Sequence, residues 1–514
     1  MWNGLSRRIR EVHGLAREAL MRRPNILFIF SDDHATQAIS SYGNPLGRLA
    51  PTPGIDRIAR EGALFPNSFC ANSICGPSRA NVLTGVHSHV NGFVDNENCR
   101  FDGTQPTFPS LLRNSGYETA LIGKWHLVSD PVGFDHWRIL PGQGSYYNPD
   151  FLGPQGTRER LSGHVTSITT NKAIEWLETR RDKTRPFLLM CQHKAPHRNW
   201  MPAPEDLDAF RGIRFPEPAT LFDDWSGRSE LLRTNRMRVS EDLTWVSDLK
   251  APRAPLGGAT PDRNGELDRM DTFQRARWER TIGEEGRAFL RLAESGKWDT
   301  RQLVREKWHR YLLDYLRCVR GVDRSVSRLL DWVDRSGQAE DTIVVYASDQ
   351  GFYLGEHGWF DKRWMFEESL HMPLLVRWPR RITAGTRPTA LVQNIDYAPT
   401  FLEAAGVPIP SRMQGRSLVR LLEGKSAPAW RREIYYRYTG EQTHSVPAHD
   451  GIRTERHKLV RFARTGEWNL FDLRRDPQEM RSVHEEPGSA RVLRDLIARY
   501  DSIRRELRVP SEAP

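Results

Sequence analysis

Residues 25–34 read Asn-Ile-Leu-Phe-Ile-Phe-Ser-Asp-Asp-His. An almost wholly apolar run between Pro24 and a polar loop suits a buried parallel strand. Two adjacent carboxylates just past such a strand, Asp32 and Asp33, lie at a mouth and not in a core; taken alone, they serve equally well as a helix N-cap. Three further runs repeat the pattern. Residues 118–122 (ETALI) break at Gly123 and deliver Lys124, Trp125 and His126. Alternation sets Lys124 and His126 on one side if the backbone stays extended. Residues 186–190 (PFLLM) precede a cationic cluster containing His193, Lys194, His197 and Arg198, and residues 342–347 (TIVVYA) end in Ser348, Asp349, Gln350 and Gly351.

Helical periodicity at 53–61, 108–115, 166–180 and 308–332 alternates with these runs. The alternation predicts an α/β fold: a large mixed, mostly parallel sheet sandwiched by helices. In open sheets of this kind ligands collect beyond the carboxyl ends of the strands. Residues 203–305 are polar and weakly periodic, and read as long excursions around a substrate mouth. A Gly/Ser/Pro connector near 422–428 divides a main domain, 24–425, from a smaller α+β domain, 426–514. That second domain has strand candidates at 434–438, 458–462 and 468–473 and a terminal helix at 493–503.

The chain has 514 residues, 38% hydrophobic and 27% charged, as expected of a loop-rich globular protein and not of a disordered one. Of its formal charge of +10, residues 1–23 hold six Arg against two Glu, which leaves +6 for the rest. No zinc-finger spacing and no dense basic helix beyond that segment point to nucleic acid. Five cysteines are too few and too scattered for a disulfide framework, although one pair, Cys70 with Cys99, stays open. Residues 1–23 lack an apolar run long enough for a signal peptide or a membrane span. They read as a disordered or short helical extension, with Met21 an alternative start. A cytoplasmic location follows by default; a periplasmic or secreted one follows if the start is misplaced.

Residues 73–85, Ser-Ile-Cys-Gly-Pro-Ser-Arg-Ala-Asn-Val-Leu-Thr-Gly, carry the most specific signal. Read locally, they are a turn with a buried thiol leading into a helix, since Gly76-Pro77-Ser78 makes a helix start. The stretch also resembles the signature of type I sulfatases, of the alkaline-phosphatase-like superfamily, in which a cysteine followed by x-Pro-Ser-Arg is oxidised to formylglycine by a maturation enzyme. In this resemblance Cys75 becomes the nucleophile, with Pro77, Arg79 and Leu83-Thr84-Gly85 completing the pattern. Asp32 and Asp33 match the first metal-binding pair and Asp349 with Gln350 the second; Lys124, His126 and Lys362 match groups around the sulfate.

The resemblance implies a hard divalent cation held by Asp32, Asp33, Asp349, Gln350 and the hydrated aldehyde at 75. Calcium is expected, with magnesium left open. One hydroxyl of residue 75 attacks sulfur while Arg79, Lys124 and Lys362 offset charge on the sulfate oxygens. His197 protonates the leaving alcohol and His126 takes the proton of the second hydroxyl, two roles that can be exchanged. Residues 91–93, 141–144, 194–200 and 351–368 resemble bacterial glycan sulfatases, including N-acetylglucosamine-6-sulfatase-like members. The expected partner is thus a sulfated carbohydrate, with Lys194 and His449 assigned to substrate binding; His449 alternatively sits in a mobile polar loop. The rival readings are a phosphonate monoester or phosphodiester hydrolase of the same superfamily and a non-catalytic glycan-binding homologue.

Overall fold

The computed structural model describes residues 23–255, 264–440 and 442–511. Of the expected extension at 1–23, residues 1–22, with Met21, lie outside the described residues. A nine-stranded sheet runs in the order Ala63–Leu64, Leu374–Arg377, Thr342–Ser348, Asn25–Ser31, Phe187–Gln192, Glu118–Lys124, His136–Leu140, Asp150–Leu152, Arg158–Arg160. The five strands from Thr342–Ser348 to His136–Leu140 are parallel, and the flanking pairings are antiparallel.

Alternation along the strands builds two cores. Ile26, Phe28 and Phe30 pack with Val82, Phe108 and Phe401 on one face. Leu27 and Ile29 pack on the other with Ile55, Val165 and Leu312. Both faces are therefore covered by helices, which is why the strands read as unbroken apolar runs. Each such side chain contributes about 1.5–3 kcal/mol on burial. The expected helix at 308–332 is the middle of a 36-residue one, Thr300–Arg335, whose N-cap Asp299 accepts from the Gln302 amide. The expected helix at 166–180 is Val165–Glu175, continued by a π-turn over Trp176–Arg180.

Gly123 does not end its strand. It kinks it, with φ +110°, and a Cβ there would lie 1.8 Å from the carbonyl oxygen of Gln192. The strand continues to Lys124, so only glycine lets the neighbouring backbones approach at this level.

Strands Glu433–Tyr438, His449–Thr454, His457–Phe462 and Trp468–Asp472 form an antiparallel meander. Its inner face adds Tyr436, Phe462 and Phe471 to the first core of the large sheet. Its outer face, with Tyr435, Ile452 and Leu459, is covered by Tyr500 and Ile503 of the helix Ala490–Glu506. The second of these strands was not predicted: His-Asp-Gly-Ile-Arg-Thr lacks apolar alternation, and sheet pairing on both sides holds it in place. All five cysteines are free thiols, so the Cys70–Cys99 pair is not formed. Among the described residues no helix is long and apolar enough to cross a membrane.

Candidate active site

Parallel register brings the strand ends to one level. Ser31 stands opposite Ser348, so Asp32, Asp33 and Asp349 emerge side by side, all buried. The Asp33 amide donates to Asp349 Oδ1 at 3.0 Å, and Tyr315 Oη of the long helix donates to the Asp33 carbonyl at 2.8 Å. Carboxylate oxygens of the three aspartates fall within 4.8 Å of one another.

Cys75 is the first residue of the buried helix Cys75–Thr84. A Cβ at Gly76 would meet the Phe93 ring at 2.5 Å and Asn96 Oδ1 at 2.6 Å, so glycine lets these two side chains close over the start of the helix. Arg79, one turn on, shares a helix face with Cys75. The Cys75 sulfur, an Asp32 oxygen and a His197 ring nitrogen also gather within 4.8 Å.

Three cations close the floor. Arg79 Nη2 lies 2.9 Å from Asp349 Oδ2 and 3.6 Å from Asp32 Oδ1, while its Nη1 donates to the Lys124 carbonyl at 3.2 Å and to Gln192 Oε1 at 2.5 Å. Lys124 Nζ donates to Asp32 and to Gln143. Lys362 Nζ bridges both oxygens of Asp33 at 2.6 and 2.7 Å.

Burial, with Asp32 beside it, pushes Asp349 up to about 8. Burial likewise pushes Asp33 up to about 6 against the pull of Lys362. For Asp32 burial acts upward too, but Lys124, His197 and Arg79 together hold it well below the usual carboxylate range. Three crowded carboxylates repel one another, and a cation favours their charged forms. The donors also suit a hard divalent ion, since Asp32 Oδ1 and Gln350 Oε1 are buried oxygens without a hydrogen-bond partner.

Burial, then Lys124, holds both His126 and His197 well below the ordinary imidazole value. His126 has φ 57°, so its backbone is not extended as expected. It nevertheless stays within the field of Lys124 and Asp32. His197 Nδ1 donates to the Arg198 carbonyl, and its Nε2 lies 3.8 Å from Asp33 Oδ2.

Above this floor opens a cleft of about 530 Å³. One wall carries Lys194, whose Nζ sits 4.8 Å above the Tyr146 ring and which burial lowers to about 8. Glu266, from the polar excursion, also lines it. Asp361, Arg363 and His444 complete this part of the lining. His444 Nε2 is 3.4 Å from Asp361 Oδ2, and Arg363 donates to Asp361.

All the predicted floor residues thus converge, and Lys194 joins them. His449 does not. It lies buried in the small sheet, its Nδ1 donating to the Pro447 carbonyl at 2.9 Å and its Nε2 accepting from the Met365 amide at 3.1 Å, with Trp364 packed against its ring. It belongs to a strand and not to a mobile loop, and it is not among the residues lining the cleft. Asp361, Arg363, Gln143, Gln192, Glu266 and His444 had no predicted role. The first two flank Lys362, a signal that was present; Glu266 and His444 sit in segments without periodicity, where nothing local marks them.

A mostly parallel sheet whose strand ends gather carboxylates, cations and a helix-borne Cys75 defines an alkaline-phosphatase-like hydrolase. The chain belongs to the sulfatase family, whose pattern it matches over residues 24–407, and it is a sulfuric ester hydrolase. Residues 355–506 match the family described as N-sulphoglucosamine sulphohydrolase, C-terminal. The N-acetylglucosamine-6-O-sulfatase of Bacteroides thetaiotaomicron is 46% identical over 487 residues, covering 93% of this chain and 85% of that protein. The N-acetylglucosamine-6-sulfatase of Homo sapiens is 25% identical over 446 residues, 82% of this chain and 68% of the relative. The solved structure of BT4656 in complex with its substrate D-glucosamine-2-N,6-O-disulfate matches with TM-score 0.89 and 44% identity over 95% of this chain and 98% of that one.

Proposed function

We propose that this sulfatase removes the 6-O-sulfate of a glucosamine residue, N-acetylated or N-sulfated, in a sulfated glycan, with residue 75 acting as formylglycine. One observation carries the reading: Cys75 and Arg79 meet three buried aspartates at the base of a cleft, in a chain 46% identical to an N-acetylglucosamine-6-O-sulfatase. An unmodified Cys75 is a poor nucleophile there, because burial and then Asp32 push its thiol up, away from the thiolate. Oxidation to a hydrated aldehyde replaces the thiol with hydroxyls that can attack sulfur.

Asp32, Asp33, Asp349 and Gln350 would hold a divalent cation, which we take to be calcium; when bound, it supplies Lewis acidity toward the sulfate and the residue 75 hydroxyl. Arg79, Lys124 and Lys362 draw charge off the sulfate oxygens as the sulfur–oxygen ester bond breaks. His197 lines the cleft with its Nδ1 proton held by the Arg198 carbonyl, which leaves Nε2 as the atom that, once charged by the bound anionic substrate, passes a proton to the departing alcohol oxygen. Burial, then Lys124, keeps this ring neutral in the free site, and a sulfate ester bound beside it is the negative charge that favours the imidazolium. His126, with a buried Nδ1 that has no partner, takes the proton of the remaining hydroxyl as sulfate leaves. Lys194 and the Asp361, Arg363 and His444 group flank the sugar.

Protein produced with a formylglycine-generating enzyme should release sulfate from N-acetylglucosamine 6-sulfate at least about 100-fold faster, in kcat/KM, than from a 3-O- or 4-O-sulfated isomer, a discrimination of about 2.7 kcal/mol. Preferential hydrolysis of phosphonate monoesters, or equal rates on all sulfate positions, would overturn the proposal.

A further inference from the structure

A second cavity, of about 950 Å³, lies against the small C-terminal sheet. Its floor is a row across three strands: Arg437 stands opposite Asp450, and Asp450 opposite Arg461. Arg464, just past the third strand, and Arg504, from the terminal helix, complete the lining charge. Among the described residues that line the cavity, four are arginines and one carries a carboxylate. That carboxylate is engaged inward: Asp450 accepts from Tyr435 Oη at 2.6 Å, from Tyr500 Oη at 2.8 and 2.9 Å, and from Arg504 at 3.3 Å.

Guanidinium groups suit oxyanions, which they grip through two parallel N–H donors. The cavity and the cleft are lined by residues close in the chain. Thr439 lines the cavity and Thr443 the cleft, four residues apart, which the backbone spans in at most about 14 Å. Thr439 Oγ1 donates to the Val94 carbonyl at 3.0 Å and Thr443 Oγ1 to Glu97 Oε1 at 2.8 Å. Both ends of the segment are thus tied to the loop that places Asn96 in the cleft.

We propose that this cavity is an accessory anion site that holds a second sulfated residue of the same glycan while its neighbour occupies the cleft. The inference rests on the glycan-sulfatase reading above. It assigns Arg437, Arg461, Arg464 and Arg504 to substrate retention, with no part in bond cleavage. Such a site lowers the dissociation constant of an oligosaccharide and leaves that of a monosaccharide unchanged.

The test measures dissociation constants by calorimetry in the full-length Cys75→Ala protein, with and without Arg461→Gln and Arg464→Gln. The probes are N-acetylglucosamine 6-sulfate, a fully sulfated heparin-derived tetrasaccharide and its desulfated counterpart. The paired substitution should weaken the sulfated tetrasaccharide about 10-fold, flatten the salt dependence of its binding, and leave the monosaccharide within about twofold. Arg464→Gln alone, at an exposed position, should move in the same direction by about threefold without altering the melting temperature. An unchanged tetrasaccharide constant would overturn the proposal, as would equal losses for tetrasaccharide and monosaccharide, or equal binding of the desulfated chain. Failure of the matured wild-type enzyme to release sulfate from any sugar defeats the catalytic reading instead, and the binding constants distinguish the two failures.

Discussion

The floor of the catalytic cleft and its walls are built by different means. Most of the floor comes from the last residue of a parallel strand or the one or two positions beyond it, together with the first turn of a buried helix, so backbone register sets the spacing of Asp32, Asp33, Asp349 and Cys75. Lys362 alone of the cations follows a short antiparallel strand, Phe360–Asp361. The walls consist of loop residues held by one another, such as Asp361 with His444 and Arg198 with Asp248 at 2.5 and 2.8 Å. Rigid backbone suits bond-making groups, whose geometry must be held tightly; mutually paired side chains suit recognition, which tolerates adjustment. Substitutions in the floor should therefore lower kcat, and those in the walls should raise KM.

Cys75→Ala should break the contrast most severely. It should lower kcat by at least about 10⁴-fold with little change in fold, and sulfate release at more than a small fraction of the parental rate would remove residue 75 from the nucleophile's place. Next in size, Asp349→Asn should weaken divalent-ion affinity at least about 100-fold and lower kcat with it; metal analysis of the purified variant checks this, and full occupancy would take Asp349 out of the ligand set. A wall substitution, His444→Ala, should raise KM about 10-fold while kcat stays within about threefold. A kcat loss equal to that of a floor variant would dissolve the distinction.

The smallest effect on turnover, and a separate effect on stability, is expected at the joint between the large sheet and the small one. His357 lies buried there, 2.9 Å from Asp223 and 3.7 Å from Glu368. Burial alone would lower its pKa, but Asp223 and Glu368 outweigh it and raise the ring to about 9, against an ordinary value of 6.5. A raised folded-state value means that the stabilisation is fully present below pH 6.5 and is lost as pH climbs through 9. At full strength it amounts to about 3 kcal/mol. His357→Gln should cost that much more at pH 6 than at pH 10 in denaturant unfolding, and a pH-independent cost would place the ring's role in packing alone.

Much of this was legible in the chain itself. The runs at 25–30, 118–122, 186–190 and 342–347 became neighbouring strands because a strand buried on both faces can only be apolar throughout. The residues after them became the floor because open parallel sheets present strand ends to ligands. Less legible were segments shaped by distant partners. Residues 449–454 carry a glycine and three charged or titratable side chains, yet form a strand because Glu433–Tyr438 and Lys458–Phe462 pair with them on either side. Gly123 suggested a strand end where a close approach to Gln192 required a kink. His449 looked available for a sugar, and aromatic packing buried it.

By itself the sequence determined the fold class through its periodicity and the family through its short motifs, and that resemblance marked the residues that gather at the floor, because such patterns are written within a few turns or one strand of chain. Only the tertiary structure decided which cation meets which carboxylate, which histidine faces the cleft, and that Asp361, Glu266 and His444 stand around one opening. Those relations join residues up to about three hundred positions apart. They arise from sheet register and packing, which no local stretch of sequence encodes.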